Sequence, residues 1–166
     1  MHSGAGLGTE LASGVGCWLA QSGTENQNPD FPIFSYAFAS GAMGQGFAIN
    51  PDNGLVLAPC SGEIMMIFPT KHALGIKTVK GEEILIHLGM DTVELNGNGF
   101  KLLVKQGDLV TAGDPMVEMD LDAIRKAGKS VISPVVVTSG QNVKLLASGT
   151  VSASEPAAVI LEQVNA

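Results

Sequence analysis

Two histidines, His72 and His87, are the residues of this sequence best suited to covalent chemistry. Each lies beside a short apolar run, in Phe68-Pro-Thr-Lys-His-Ala-Leu-Gly-Ile76 and in Ile84-Leu-Ile-His-Leu-Gly-Met-Asp91. A neutral imidazole nitrogen is nucleophilic around neutral pH and can accept and return a phosphoryl group. A second imidazole can donate a hydrogen bond to the phosphoryl oxygens. The pair therefore favours phosphoryl transfer through a covalent intermediate, although a histidine in an apolar strand is often only a core or surface residue.

A hairpin between the two apolar runs would bring these histidines together. If residues 73–78 and 83–88 pair antiparallel around Lys80-Gly81, His72 lies opposite His87 or just beyond it, and the rings can meet on one face. Thr70 lies two residues before His72, on the same face of an extended segment, where its hydroxyl can fix the tautomer of that ring. The spacing thus predicts a histidine pair with one threonine partner.

The elements that must position this pair read as strands and turns. Gly is frequent at 21 residues, Pro adds 8, and only 15% of the residues are charged, which is typical of short elements joined by tight turns. About nine strands are predicted, and they need a sandwich or barrel to bury their apolar runs and edges. These predicted strands are residues 46–49, 54–58, 62–68, 73–78, 83–88, 116–120, 134–138, 148–151 and 158–163.

One helix is predicted within this all-β pattern, at residues 121–127, with Asp120 as the N-cap and Gly128 as the C-terminal stop. A second, shorter helical turn is predicted after Asp91 or Gly99. Residues 1–30 are rich in Gly, Ser, Asn and Gln and show no periodicity, which predicts an irregular or poorly ordered arm. Residues 31–166 are predicted to form one domain, for which the hydrophobic content of 45% provides a packed core.

Charge and composition exclude several function classes. The net charge of −7, with only 9 Lys and Arg, argues against non-specific binding to nucleic acid or to an anionic membrane. No apolar run reaches the roughly 20 residues of a membrane span, and no basic residue precedes the weakly apolar N-terminus, so we expect neither membrane insertion nor a signal peptide. The two cysteines, Cys17 and Cys60, are too few for a disulfide framework, which favours the cytoplasm.

Beyond these inferences, the segments around the two histidines closely resemble the glucose-type enzyme IIA family of the bacterial sugar phosphotransferase system. Residues 84–100 are similar to the phosphorylation motif of that family. The resemblance covers about residues 38–163 and includes four further segments in the family's order and spacing, which are Gly46-Phe-Ala-Ile-Asn-Pro51, Ala58-Pro-Cys-Ser-Gly-Glu-Ile64, Gly107-Asp-Leu-Val-Thr-Ala-Gly-Asp114 and Ser133-Pro-Val-Val-Val137. It implies a barrel-sandwich fold built as a duplicated hybrid motif.

By position, the resemblance also implies a role for each candidate residue. The phosphorylated histidine of the family falls on His87, where Nε2 is the reactive atom, and the supporting histidine falls on His72. The threonine that orients the supporting ring falls on Thr70, and the aspartate after the active histidine falls on Asp91. Asp91 either positions the phosphorylated site, meets a basic partner, or caps the turn that follows it.

The function implied by the resemblance is that of a phosphotransferase component. Such a carrier takes a phosphoryl group from the small phosphocarrier protein HPr and hands it to the cysteine of a sugar-specific enzyme IIB domain, without metal, nucleotide or other cofactor. The alternative is a non-catalytic regulatory module that keeps the fold and docks partner proteins. Apolar residues around the histidines form either a docking patch or core, and they are Phe38, Phe47, Phe68, Ile86, Leu88 and Val93.

Two other functions suit a related fold but not these residues. A zinc metallopeptidase would need a His-x-His pair among at least three ligands, and a lipoyl carrier would need a Met-Lys or Asp-Lys hairpin tip. Neither pattern occurs in the chain. The sequence also departs from the enzyme IIA pattern where Ser35 replaces an acidic residue and Gln45 replaces a turn aspartate, which affects recognition of a basic partner more than the transfer chemistry.

Overall fold

The computed structural model describes residues 8–11, 17–21, 45–51, 54–139, 142–145, 149–151 and 159–162, which are mostly antiparallel strands joined by tight turns. The strands in chain order are β1 (Gly8–Leu11), β2 (Cys17–Gln21), β3 (Gln45–Pro51), β4 (Leu55–Leu57), β5 (Gly62–Ile67), β6 (Ala73–Thr78), β7 (Glu83–His87), β8 (Phe100–Leu102), β9 (Leu109–Val110), β10 (Pro115–Met119), β11 (Ser133–Val137), β12 (Asn142–Leu145), β13 (Gly149–Val151) and β14 (Val159–Glu162). A 3-10 helix, Thr92–Leu95, and one α-helix, α1 (Leu121–Lys126), interrupt them.

These strands form an eight-stranded sheet and two three-stranded sheets. The large sheet has the order β13-β2-β3-β11-β7-β6-β5-β9, and the small ones have the orders β4-β10-β8 and β1-β14-β12. Neighbouring strands in all three sheets pair antiparallel. The predicted all-β barrel-sandwich architecture is confirmed.

The core is formed by side chains from the middle of the large sheet, from β10 and from α1. Every residue of β11 is buried, and in β6 only Lys77 is exposed. A strand that is buried on both faces has layers packed on each side of it, so these two strands lie in the interior. The largest fully buried apolar side chains are Ile64, Leu74, Ile76, Ile84, Leu88, Met116, Val117 and Ile124. Because β7 is paired on one edge with β6 and on the other with β11, its histidine is carried by a rigid element.

The β6–β7 hairpin confirms the predicted turn around Lys80-Gly81. Gly81 N–H donates to the carbonyl of Thr78 at 2.9 Å, and the Gly81 backbone has φ of +93°, which glycine adopts without steric cost. The register places Lys77 opposite Glu83 at the turn end and Ala73 opposite His87 at the other end. The hairpin is therefore the element that sets the separation of the two histidines.

Two Gly-Asp corners repeat the same turn chemistry six residues apart. Asp108 Oδ2 accepts from Lys105 N–H at 2.9 Å, and Asp114 Oδ2 accepts from Thr111 N–H at 2.9 Å. The glycine before each aspartate has φ of +93°. Each aspartate satisfies a backbone donor that the turn would otherwise leave unpaired, which is the physical reason for the repeated Gly-Asp pattern.

Both predicted helical segments are present. Asp120 caps α1, since its Oδ1 accepts from Ala123 N–H at 3.0 Å, and the helix ends at Lys126, one residue earlier than predicted. Gly128 follows with φ of +81°, as expected of a C-terminal stop. The 3-10 helix confirms the short turn predicted after Asp91. Among the helices in the described part of the chain, none is both long and apolar enough to cross a membrane.

Each predicted strand overlaps an observed one, but several strands were not predicted. β8 and β9 have only three and two residues, too few for a period to show. β1 and β2 fall in the segment predicted to be irregular, where pairing with the distant β14 and β3 compensates for weak local signals. The rest of residues 1–30 lies outside the described residues, and a domain boundary near residue 31 stays a prediction.

Candidate active site

The hairpin brings the two histidines into ring contact. His87 is the last residue of β7, and His72 directly precedes Ala73, the residue that faces His87 in the register. The predicted position of His72, just beyond His87, is confirmed. The ring centroids are 5.0 Å apart and the ring planes meet at 71°, an edge-to-face arrangement. The predicted meeting of the two rings is confirmed as well.

The hydrogen bond of His87 identifies its nucleophilic nitrogen. His87 Nδ1 lies 2.7 Å from the carbonyl oxygen of Gly89. A carbonyl oxygen can only accept, so the proton of the neutral ring sits on Nδ1 and the lone pair is left on Nε2. His87 is half-buried. The local geometry thus selects Nε2 as the atom that can attack.

His72 is more deeply buried and has a different partner. Its side chain is 4% exposed, and Nδ1 lies 2.5 Å from Thr70 Oγ1, so the threonine and the ring share one hydrogen. Burial, and secondarily the repulsion between His72 and a protonated His87, lower the pKa of His72 below its ordinary value. His72 is therefore a neutral imidazole at pH 7, able to donate through one ring nitrogen and accept through the other.

The turn between β5 and β6 presents His72 to the site. Phe68 N–H donates to the carbonyl of Ala73 at 2.9 Å, and Lys71 N–H donates to the carbonyl of Phe68 at 2.8 Å. Lys71 has φ of +62°, a backbone conformation that residues other than Gly, Asn and Asp rarely adopt. The Phe68 ring packs edge-on against His72 with centroids 5.3 Å apart. The turn and the Phe68 ring together hold the position of His72.

The lowered pKa of His72 predicts a pH dependence of stability. A base whose pKa is lower in the folded chain than its unfolded value of 6.5 binds more protons when the chain unfolds. Its contribution to the free energy of unfolding is therefore complete above pH 6.5 and is lost as the pH falls below that value. Urea unfolding at a series of pH values below 6.5 measures the free energy of unfolding. As the pH falls, this free energy is expected to decrease more steeply for the native sequence than for His72→Gln. Parallel curves would contradict the assignment, because carboxylates titrate equally in both proteins.

The backbone after His87 is held in an unusual conformation that sequence reasoning did not identify. Gly89 has φ of +79°, and a Cβ atom there would lie 2.6 Å from Thr92 Cγ2 and 2.7 Å from the carbonyl oxygen of Ser130. Gly89 N–H donates to Ser133 Oγ at 3.1 Å, and Met90 N–H donates to the Ser130 carbonyl at 3.0 Å. We call these two hydrogen bonds, from Gly89 to Ser133 and from Met90 to Ser130, the Gly89 clamp. The clamp bears on the orientation of the His87 ring, because Gly89 supplies the acceptor for His87 Nδ1.

Asp91 lies in the same segment but is not part of the clamp. Its side chain is exposed, its φ is +59°, and it makes no capping hydrogen bond to the 3-10 helix that follows. Of the roles expected for Asp91, capping is therefore not supported by the geometry. Glu94 in that helix forms a close ion pair with Lys129, which ties the helix to the segment before β11.

The apolar residues predicted around the histidines divide into core and surface. Ile86 and Leu88 are 4% and 1% exposed and belong to the core, whereas Phe68 is half-buried and Val93 is 48% exposed. Phe38 and the side chain of Phe47 lie outside the described residues. Val93 and Phe68 are therefore the members of this set that a partner protein can reach.

Across residues 54–139, whose side chains the structure describes, no group of three or more His, Cys, Asp or Glu side chains is placed to hold a metal ion. The chemistry that this arrangement supports directly is nucleophilic attack by one imidazole next to a second, neutral imidazole.

Comparison with known proteins identifies the family of this chain. A family described as "phosphoenolpyruvate-dependent sugar phosphotransferase system, EIIA 1" matches residues 33–143. The PTS system glucose-specific EIIA component of Staphylococcus aureus strain Mu50 is 42% identical over 134 residues, covering 81% of this chain and 80% of that protein. The component with the same name from Halalkalibacterium halodurans is 52% identical over 102 residues, covering 61% of this chain and 59% of that protein.

The fold is similar as well. The solved structure of glucose permease IIA from Mycoplasma capricolum has a TM-score of 0.80 and 34% identity to this chain, covering 92% of this chain and 95% of that one. An all-β barrel sandwich with this similarity defines a phosphocarrier, a phosphotransferase component of sugar uptake. The chain belongs to the EIIA 1 family of the phosphoenolpyruvate-dependent sugar phosphotransferase system.

Proposed function

We propose that this chain accepts a phosphoryl group from HPr on Nε2 of His87 and passes it to the cysteine of a sugar-specific enzyme IIB domain. The observation that carries the proposal is the 2.7 Å contact between His87 Nδ1 and the Gly89 carbonyl, which leaves the Nε2 lone pair available. His72, whose ring lies 5.0 Å away, supplies the second imidazole that phosphoryl transfer between proteins can use.

The transfer step balances without a cofactor. The Nε2 lone pair of His87 attacks phosphorus in line, an N–P bond forms, and the bond from phosphorus to the donor atom breaks with its electron pair remaining on the donor. The Nδ1 proton stays in place, and the positive charge that develops on the ring is shared with the Gly89 carbonyl. In the second transfer a lone pair of the deprotonated cysteine sulfur forms the S–P bond, and the N–P bond breaks with its electron pair returning to Nε2.

His72 and Thr70 act in this proposal as stabiliser and orienting residue. If the Thr70 hydroxyl donates to His72 Nδ1, the proton of the neutral ring resides on Nε2, where it can be donated to a phosphoryl oxygen. A neutral donor suits both directions of transfer, because it stabilises charge in the transition state without holding the phosphorylated product as tightly as a cation would.

The partners follow from charge and exposure around the site. Asp91 is an exposed carboxylate four residues after His87, and the net charge of −7 is complementary to a basic protein. We assign Asp91 to contact with such a partner.

The names of the relatives specify glucose, and we propose a glucose-class permease as the acceptor. Cys60, whose side chain is described, is free and buried, which fits the cytoplasmic location that we propose.

Reconstituted transfer tests the proposed function directly. After incubation with phosphoenolpyruvate, enzyme I and HPr, the intact mass of this protein is expected to increase by one phosphoryl group. Addition of a glucose-class enzyme IIB domain is expected to remove that group and label the domain's cysteine. If the protein gained no mass while enzyme I and HPr were both phosphorylated, the carrier function would be excluded and the regulatory module would replace it.

A further inference from the structure

The Gly89 N–H is held in the clamp by a buried side-chain hydroxyl, that of Ser133. Ser133 is the first residue of β11 and is 5% exposed. Continuing the β11–β7 register, in which Val135 faces Ile86, places Ser133 opposite Leu88, just past the end of the ladder. At this position the backbone ladder between β7 and β11 has ended, and the Ser133 side chain accepts the hydrogen bond of the Gly89 N–H.

The orientation of the Ser133 hydroxyl is determined by two partners. Its O–H donates to the carbonyl of Val131 at 2.9 Å, and its lone pair accepts Gly89 N–H at 3.1 Å. A hydroxyl has one proton, so donation to Val131 leaves only acceptor capacity toward Gly89. In the contact with Gly89, the N–H therefore donates and Ser133 Oγ accepts.

Two hydrogen bonds to the Gly89 backbone connect Ser133 to the reacting ring. Ser133 Oγ accepts from Gly89 N–H, and the Gly89 carbonyl accepts from His87 Nδ1 at 2.7 Å. Between these two bonds Thr92 and the Ser130 carbonyl leave no room for a Cβ atom at Gly89. The held N–H and the carbonyl lie in the two peptide planes that meet at Gly89 Cα. The Ser133 contact fixes the first plane, and Met90 N–H, which donates to the Ser130 carbonyl at 3.0 Å, fixes the second. Loss of the Ser133 contact therefore frees rotation about φ of Gly89, which changes where the carbonyl lies relative to His87 Nδ1.

We propose that Ser133 is a positioning residue for phosphoryl transfer, which holds the Gly89 carbonyl in place and thereby keeps His87 in the Nδ1–H tautomer with Nε2 unprotonated. This inference deepens the function proposed above and rests on His87 being the acceptor. Both hydrogen bonds of Ser133 go to backbone groups, the Val131 carbonyl and the Gly89 N–H. In this proposal its effect reaches the reaction through the Gly89 backbone.

The deciding measurement is the tautomer of His87 in the unphosphorylated protein, read from the ring ¹⁵N chemical shifts by NMR. The native sequence is expected to show the Nδ1–H form almost exclusively. Ser133→Ala is expected to show a mixture with the Nε2–H form, which lacks a nucleophilic lone pair at Nε2. The initial rate of phosphoryl acceptance from HPr is expected to fall roughly tenfold, as for other outer hydrogen bonds that orient a histidine.

Two variants separate positioning from a general loss of structure. Ser133→Thr retains the hydroxyl and is expected to restore the single tautomer. Ser139→Ala is the matched control, because Ser139 Oγ accepts Glu83 N–H at 2.8 Å, the same type of contact at the other end of β7. It is expected to leave the His87 tautomer unchanged. If Ser133→Ala does not fold, Ser133→Cys, which keeps the volume but has a weak sulfur acceptor, takes its place.

The possible results are distinct. A mixed tautomer in the Ala or Cys variant, restored by Thr, supports the inference. A single Nδ1–H tautomer in a folded Ser133→Ala or Ser133→Cys protein overturns it, whatever the rate of transfer. Failure of the native sequence to accept a phosphoryl group would instead overturn the proposed function, and because the tautomer is read without any phosphoryl donor, the two failures cannot be confused.

Discussion

His87→Gln is expected to abolish phosphorylation by HPr, with a loss of rate of roughly 10⁶-fold, the scale seen when a covalent nucleophile is removed. Glutamine places its amide near the position of the imidazole Nε2 and not of Nδ1, so the hydrogen bond to the Gly89 carbonyl is lost together with the nucleophile. The amide nitrogen has no available lone pair with which to attack phosphorus. Intact mass after incubation with phosphoenolpyruvate, enzyme I and HPr is therefore expected to stay that of the unmodified chain.

The control for this experiment is His72→Gln, the other member of the ring pair. It retains the His87 nucleophile and is expected to gain one phosphoryl group at long times. Near-ultraviolet circular dichroism of both variants checks that each is folded. Labelling of His87→Gln together with loss of labelling in His72→Gln would reverse the two roles and refute the assignment of His87.

The second large effect is expected in the rate of transfer by His72→Gln. Its initial rate of phosphoryl acceptance is expected to fall by about 10²- to 10³-fold, the usual consequence of removing one preorganised hydrogen-bond donor from a transition state. His72 is 4% exposed and lies in ring contact with His87, so its N–H acts in a partly desolvated site where such a donor is most effective. Rapid-quench kinetics with labelled phosphoenolpyruvate measures this rate, and transfer to the enzyme IIB cysteine is expected to slow similarly.

Thr70→Val is the matched variant for the same measurement. Valine has the shape of threonine without its hydroxyl, so it removes the 2.5 Å contact with His72 Nδ1 and leaves the imidazole in place. Its loss of rate is expected to be smaller, about tenfold, because the ring is still present but its tautomer is no longer selected. An unchanged rate in His72→Gln would show that His72 is a packed neighbour of the site and not its stabiliser.

The histidine pair was predictable because its geometry depends on one local hairpin. His72 and His87 are fifteen residues apart in the chain, and a tight turn at Lys80-Gly81 is sufficient to place them together. The alternation of apolar residues then specifies which face they share, since a slip of one residue would move every side chain of β7 to the other face. Thr70 was predictable for the same reason, being two residues from His72.

Other features depend on contacts between distant segments and were not predictable. Gly89 and Ser133 are 44 residues apart, and their hydrogen bond exists only because β11 pairs with β7 in one particular register. No local pattern marks a serine as the partner of a glycine so far away. The same holds for β1 and β2, whose residues lack periodicity and become strands by pairing with β14 and β3.

From the sequence alone follow the strand-and-turn architecture, the helix capped by Asp120, and a histidine pair with Thr70 beside it, because each depends on residues close together in the chain. The tertiary structure decided which ring is buried and neutral, which ring nitrogen of His87 is free to react, and which backbone carbonyl orients it. These properties depend on burial and on hydrogen bonds between residues far apart in sequence, and they exist only after β6, β7 and β11 have packed into one sheet.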